Sequence, residues 1–164
     1  MKKALLVLIT CAISINLLSQ EKRTISVKAG TVVPLEAMYN VRASKVHYGD
    51  FIDFKVSRDV IVDDMVAIPA GTIAKGTVYE AKRSSWFGTK GRLGIRMRSL
   101  FLPNGEELFF AYSDIYITGK NLTPISVIVF LCVYYPFICG TKAEMKAGYS
   151  FDATIASTTE IVIE

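Results

Sequence analysis

Apolar positions along this chain recur mostly every second residue, the period of a β-strand with one face buried. Between Asp50 and Val56, Phe51, Asp53 and Lys55 alternate with Ile52, Phe54 and Val56. Val60-Ile61-Val62 runs through Asp63-Asp64 into Met65-Val66-Ala67-Ile68, which predicts strand, tight acidic turn, strand. From Gly91 to Leu102, Leu93, Ile95 and Met97 oppose Arg92, Gly94, Arg96 and Arg98. Asn104-Gly105 then separates Leu100-Phe101-Leu102-Pro103 from Glu107-Leu108-Phe109-Phe110, a strong hairpin signal. Asp114 to Thr118 and Thr154 to Ile163 are further strand candidates.

One short phrase occurs three times: Lys28-Ala29-Gly30-Thr31-Val32, Pro69-Ala70-Gly71-Thr72-Ile73 and Lys146-Ala147-Gly148-Tyr149-Ser150. Ala-Gly followed by a β-branched or aromatic residue predicts strand entry out of a turn in which glycine takes a positive φ. With no helical heptads and no long polar linker, the pattern predicts a mainly β protein. The expected fold is a single small antiparallel β-barrel or sandwich with one apolar helical or hairpin insertion.

That insertion is Leu122 to Cys139, eighteen residues without a charge. Thr123-Pro124 suits a helix start and Gly140 its end, so a helix is the first expectation. Pro124 to Cys139 would then extend roughly 24 Å, short of a hydrocarbon core of about 30 Å. Pro136 and the β-branched residues keep a pair of strands turning near Tyr134-Tyr135-Pro136 as the alternative. On a helix Cys132 and Cys139 would stand about 10 Å apart along the axis, too far for a disulfide, whereas a hairpin could join them. Two buried thiols are the simpler expectation. A single crossing would also carry the third Ala-Gly phrase across a membrane from the other two. The segment is therefore expected to return to the side it left.

Lys2 and Lys3 precede an apolar run from Ala4 to Leu18 that turns polar at Ser19, the layout of a secretory signal peptide over residues 1–20. Leu8-Ile9-Thr10-Cys11 loosely resembles a lipidation box, which makes a lipoprotein or an uncleaved anchor the minority alternatives. Residues 21–164 then form one domain, large enough for a real core. Without Lys2 and Lys3 the 19 Lys and Arg fall to 17 against 15 Asp and Glu, so net charge implies no general polyanion binding. Two remaining cysteines do not make a disulfide scaffold.

The order of these motifs resembles a family. Ala29 to Leu35, Gly49-Asp50-Phe51, Ile68-Pro69-Ala70-Gly71-Thr72-Ile73-Ala74-Lys75-Gly76, Gly91-Arg92-Leu93-Gly94-Ile95 and Leu102-Pro103-Asn104-Gly105 follow one another as in the C-terminal β-barrel of TrbI-like components of conjugative type IV secretion systems. The resemblance implies barrels that ring together in the cell envelope, and a mostly helical insertion after the Pro-Asn-Gly hairpin that lines an outer-membrane pore. Leu122 to Cys139 holds the place of that insertion but is shorter than the family's two-helix antenna. Lys146-Ala147-Gly148-Tyr149 resembles the returning strand. The expectation is a stand-alone exported barrel module.

Candidate chemistry is sparse. His47 is the sole histidine, and no Cys-x-x-Cys, Gly-x-Ser-x-Gly, phosphate loop or dinucleotide fingerprint occurs, so neither an enzyme nor a cofactor or metal is expected. Asp50, Asp53, Asp59, Asp63 and Asp64 lack the spacing of a calcium loop. The local charge asymmetry is Lys82, Arg83, Lys90, Arg92, Arg96 and Arg98 against Glu80. These six are candidates for an anionic partner, lipid headgroups, lipopolysaccharide or an acidic protein, with Trp86-Phe87 beside them; a solvated strand face that resists edge aggregation is the plainer explanation. Ile125, Val129, Phe130, Val133, Tyr134 and Phe137 are candidates for a membrane or subunit contact.

The expected function is an exported, non-enzymatic structural or interaction module of the bacterial envelope, periplasmic or envelope-associated, acting on envelope proteins or its own copies and not on nucleic acid. The alternative is a soluble extracytoplasmic domain binding a small apolar or glycan ligand through Trp86, Phe87, Tyr134, Tyr135 and Phe137.

Overall fold

The computed structural model describes residues 23–85, 89–120 and 140–163, and every regular element among them is a β-strand. In chain order these are β1 (Arg23–Val27), β2 (Val32–Ala37), β3 (Val41–Arg42), β4 (Phe51–Val56), β5 (Val60–Val62), β6 (Met65–Ile68) and β7 (Ile73–Lys82). They continue as β8 (Arg92–Phe101), β9 (Glu107–Phe109), β10 (Asp114–Thr118), β11 (Glu144–Met145), β12 (Ser150–Thr154) and β13 (Thr159–Ile163). One antiparallel sheet runs β10-β8-β7-β4-β2-β12, with β9 also paired to β8. It curls until its two edges meet at one end. There Phe110 bridges Ile155, the Ala111 N–H donates to the Thr154 carbonyl at 2.7 Å, and the Ala156 N–H donates to the Phe109 carbonyl at 2.9 Å. The mainly β, barrel-like fold expected from the alternation is therefore observed.

The alternation sets which face is inside. Ile52, Phe54 and Val56 of β4 are buried while Phe51, Asp53 and Lys55 face outward. Leu93, Ile95 and Met97 of β8 do the same against Arg92, Arg96 and Arg98. Phe54, Leu35, Leu93, Ile95 and Leu100 are fully buried and fill the interior. Gly76 makes room for them, since a Cβ there would come within 2.9 Å of Ile95 and 3.0 Å of Phe54. Phe54 meets Phe151 edge-on at 5.2 Å, a favoured aromatic geometry.

The Ala-Gly phrases form one repeated corner. Gly30, Gly71 and Gly148 have φ of 87°, 84° and 82°, and in each corner the residue after glycine donates its N–H to the carbonyl three residues back, as in a type II turn. Each corner then clips onto a neighbouring strand in the same way. The Gly71 N–H donates to the Val56 carbonyl at 2.8 Å and the Val56 N–H returns a bond to the Thr72 carbonyl at 2.9 Å. Gly30 and Thr31 treat Ile155 identically, as do Gly148 and Tyr149 with Ala37. A fourth corner, His47-Tyr48-Gly49-Asp50, clips onto Val78 by the same pair of bonds, and its Gly49 has φ 90°. The antiparallel pairs β2/β12 and β4/β7 are thus each closed at both ends by the same device.

The acidic turn is as expected, with Asp63 and Asp64 at φ 50° and 61° joining β5 to β6. The Asn104-Gly105 hairpin likewise joins β8 to β9. The strand candidate Thr154 to Ile163 requires correction. β12 ends at Thr154, because Ile155 turns to meet both Phe110 and the Gly30 corner, and the chain resumes as β13 paired with β1. That ribbon stands at the bridged end, where the Asn104 side-chain amide donates to the Val162 carbonyl. At the far end the short β3/β11 ribbon, residues 83–85 and 89–91, and the chain on either side of residues 121–139 come together.

Candidate functional site

The far end is organised around Gly91. Its N–H donates to the Thr141 carbonyl at 3.1 Å, and its carbonyl accepts from the Gly119 N–H at 3.0 Å. The Thr141 N–H donates to the Lys120 carbonyl at 3.3 Å, the Lys120 N–H meets the Thr141 hydroxyl, and the Gly140 N–H reaches the Ser85 carbonyl. Three segments remote in sequence meet there as backbone. The approach leaves no room for side chains: a Cβ on Gly91 would lie 2.7 Å from the Ala143 nitrogen, and one on Gly119 would collide with the Thr141 carbonyl. Lys120 and Thr141, the two flanks of residues 121–139, therefore lie side by side, and the expected insertion itself lies outside the described residues.

Lys82, the last residue of β7, and Arg83 and Lys90, on the connection to β8, lie at this end. Lys120 and Lys142 join them through the Lys120–Thr141 contact. Ala43, Ser44, Arg83, Ser84, Gly140, Lys142 and Ala143 line a depression of about 350 Å³ between these segments. The acids nearby are already engaged. Glu80 holds Lys82 at 3.9 Å and Arg92 at 3.6 Å, and Glu144 holds Arg42 at 3.0 Å. Among the described residues no ion pair forms at Arg83, Lys90, Lys120 or Lys142. Sequence reasoning missed Lys120 and Lys142 because residues 121–139 separate them; pairing the two flanks of an out-and-back segment would have found them.

Arg92 stands at this same end, opposite Lys82, while Arg96 and Arg98 lie farther along the outer face of β8, and the three do not form a uniform stripe. Arg98 occupies a bulge, because Met97 pairs with Gly76 and Ser99 with Lys75. Arg96 donates from Nε and Nη2 to the two Asp114 carboxylate oxygens at 2.9 and 3.1 Å, and from Nη2 to the Tyr112 hydroxyl at 2.8 Å. Its guanidinium lies 4.5 Å from the Tyr112 ring centroid and 5.2 Å from that of Tyr79. Hydrogen bonds from Arg96 hold the Asp114 carboxyl below its ordinary pKa, and the same contact raises that of Arg96. Burial, then the Asp114 charge, pushes the Tyr79 phenol upward. Tyr79 is itself the bulged residue of β7 and covers Gly94, where a Cβ would come within 2.6 Å of the ring. Arg96 thus fastens β10 to the sheet, and its charge is spent on Asp114.

His47 opens the fourth corner. Its N–H donates to Asp50 Oδ2 at 2.7 Å, and its ring stands 3.8 Å from the same oxygen with the side chain 88% exposed. Asp59 accepts the Ala70 N–H at 2.6 Å and steadies the Gly71 corner. These aspartates fix turns. Residues 1–20, Trp86, Phe87, Cys132, Cys139, Tyr135 and the contact candidates Ile125, Val129, Phe130, Val133, Tyr134 and Phe137 lie outside the described residues.

The chain is similar in structure to ComB10. This is a component of the Com type IV secretion system of Helicobacter pylori, matched at a TM-score of 0.42 and 12% identity over 84% of this chain and 90% of that one. No family model matches the sequence, and no curated protein does.

Proposed function

We propose that this chain is an exported, non-enzymatic structural module of the bacterial cell envelope, which rests the far end of its barrel on a membrane and binds envelope proteins or its own copies. The observation that carries this is the pinned base of residues 121–139. Lys120 and Thr141 are bonded to each other, so the two flanks of the uncharged stretch Leu122 to Cys139 meet at one point of the barrel, at the end that carries Arg83, Lys90 and Lys142. Cations next to an apolar segment suit an anionic headgroup layer, where each adds about 1 kcal/mol of attraction. The filled interior supports a structural role in preference to a ligand held inside the barrel.

The test is the full chain expressed in bacteria, with the envelope pellet washed in alkaline carbonate and the processed chain followed by mass. Retention after the wash is expected. A variant carrying Arg83→Gln, Lys90→Gln, Lys120→Gln and Lys142→Gln should lose most of its preference for vesicles containing phosphatidylglycerol over those of phosphatidylcholine alone. Release of the wild-type processed chain into the carbonate supernatant would sink the proposal.

A further inference from the structure

The curled sheet is closed at the bridged end only, and below that closure its two edges separate. Past an irregularity at Ala111 and Tyr112, where Phe110 bonds Arg98 and Ser113 bonds Met97, β10 continues along the seam that faces the Gly148 corner and the start of β12. No pairing joins them, and between them opens a cleft of about 620 Å³ lined by Tyr116, Ile117, Thr118, Glu144 and residues 146–149.

The register shows what each edge presents. The Ser113 carbonyl and the Gly119 N–H bond toward β8, so in β10 the odd residues pair with β8 and the N–H and C=O groups of Tyr116 and Thr118 point into the cleft. In β12 the bonds from Tyr149 and Ile155 toward β2 place the odd residues on that side, leaving the backbone groups of Ser150 and Asp152 on the cleft side. Among the described residues these outward groups have no backbone partner. Two strand edges thus face one gap.

The side chains at the gap are graded the same way. Ile117 and Phe151 point toward the core yet stay only partly buried, whereas Tyr116, Thr118, Ser150 and Asp152 face outward. The core is uncovered where the edges are unpaired.

We infer that this seam receives an extended strand from a partner protein, which pairs with β10, β12 or both and completes the barrel. Only a polypeptide in β conformation offers alternating donors and acceptors at about 3.3 Å per residue. Its sequence must alternate, with apolar residues inward on Ile117 and Phe151 and polar residues outward beside Tyr116 and Asp152. The inference rests on the sheet register and does not depend on a membrane location.

The probe is a capped heptapeptide of alternating threonine and valine with lysine ends, added to the full chain as purified from cells, with amide hydrogen exchange as the readout. Exchange at Tyr116, Thr118, Ser150 or Asp152 is expected to slow at least tenfold. The same peptide N-methylated at alternate residues should give no protection. Thr118→Pro removes one cleft-facing donor, a change that edge strands tolerate; it should weaken peptide binding at least tenfold while the melting temperature holds. Unchanged exchange at all four amides with peptide in large excess would overturn the inference, as would binding that survives N-methylation. Protection confined to the β5/β6 or β1/β13 ribbons would overturn it too, because the peptide would then have chosen another edge.

Discussion

Because Lys120 and Thr141 are bonded across the base of residues 121–139, the barrel should fold without that stretch. The perturbation is replacement of residues 121–139 by a four-residue glycine-rich turn, compared with replacement by a glycine-serine linker of the original length. Shortening the connection nearly fivefold removes a little over two doublings of loop length. At about 0.6 kcal/mol per doubling, the short version should be more stable by about 1.4 kcal/mol. Both chains should unfold cooperatively in urea, followed by the fluorescence of Trp86, the sole tryptophan. The opposite outcome has a clear size. Each large apolar side chain that the segment buried against the barrel would contribute about 1.5–3 kcal/mol, so a segment belonging to the core would leave both replacements unfolded or several kcal/mol less stable than the full chain. Exposed hydrophobic surface and loss of a sharp transition in both would refute the reasoning, and with it the idea that the stretch serves a surface outside the domain.

Four further predictions concern the barrel itself. Gly71→Ala meets no atom within 4 Å but must hold φ near 84°, so it should cost about 1–2 kcal/mol through backbone strain alone, with Gly71→Asn costing less; Gly91→Ala, aimed at the Ala143 backbone, should also cost about 1–3 kcal/mol, and asparagine there should not improve on alanine. Urea midpoints decide both, and a rescue of Gly91 by asparagine would contradict the steric argument. Phe54→Ala empties the centre of the core and should cost about 3–5 kcal/mol by the same assay; a loss under 1 kcal/mol would show that Phe54 is not packed as described. Asp114 has a lowered folded pKa, so its stabilisation is present above the unfolded value near 3.9 and is lost as pH falls through the folded one; wild type should exceed Asp114→Asn by about 0.5–1 kcal/mol at neutral pH, with the gap closing below about pH 4 in pH-resolved melts. A gap that persisted at low pH would mean the carboxylate charge is not what matters.

How much of this was legible in the sequence follows from how local each feature is. The inward positions of β4, and of β8 from Leu93 to Met97, were readable because burial on a strand obeys a period of two and no bulge interrupts it there. The break after Thr154 was not, because Ala156-Ser157-Thr158 carries no glycine or proline and the chain turns there only to satisfy Phe110 and the Gly30 corner, contacts made by distant residues. The bulges at Tyr79 and Arg98 are equally silent, since a bulge is defined by the register of the partner strand. That is why Arg92, Arg96 and Arg98 read as a stripe, when Arg96 is in fact held by Asp114 and Tyr112.

The repeated Ala-Gly phrase shows the difference most plainly. It recurs because four strand entries pose one hydrogen-bonding problem: a turn must reverse while offering an N–H and a C=O to the neighbouring strand. Gly30, Gly71 and Gly148 announce the solution with a preceding alanine, and Gly49 reaches it with Tyr48 instead, so the phrase undercounts the device. A motif fixed by backbone geometry carries fold information and no chemistry. The basic far end and the unpaired seam had to come from contacts between residues such as Lys120 and Thr141, or from edges such as Tyr116 and Asp152 that the sheet leaves facing each other. Both lie away from the bridged end, which is the end that β1, β13 and the Phe110 bridge already occupy. A partner strand and a membrane would therefore approach this barrel from the same half, and binding one would constrain how the other can be reached.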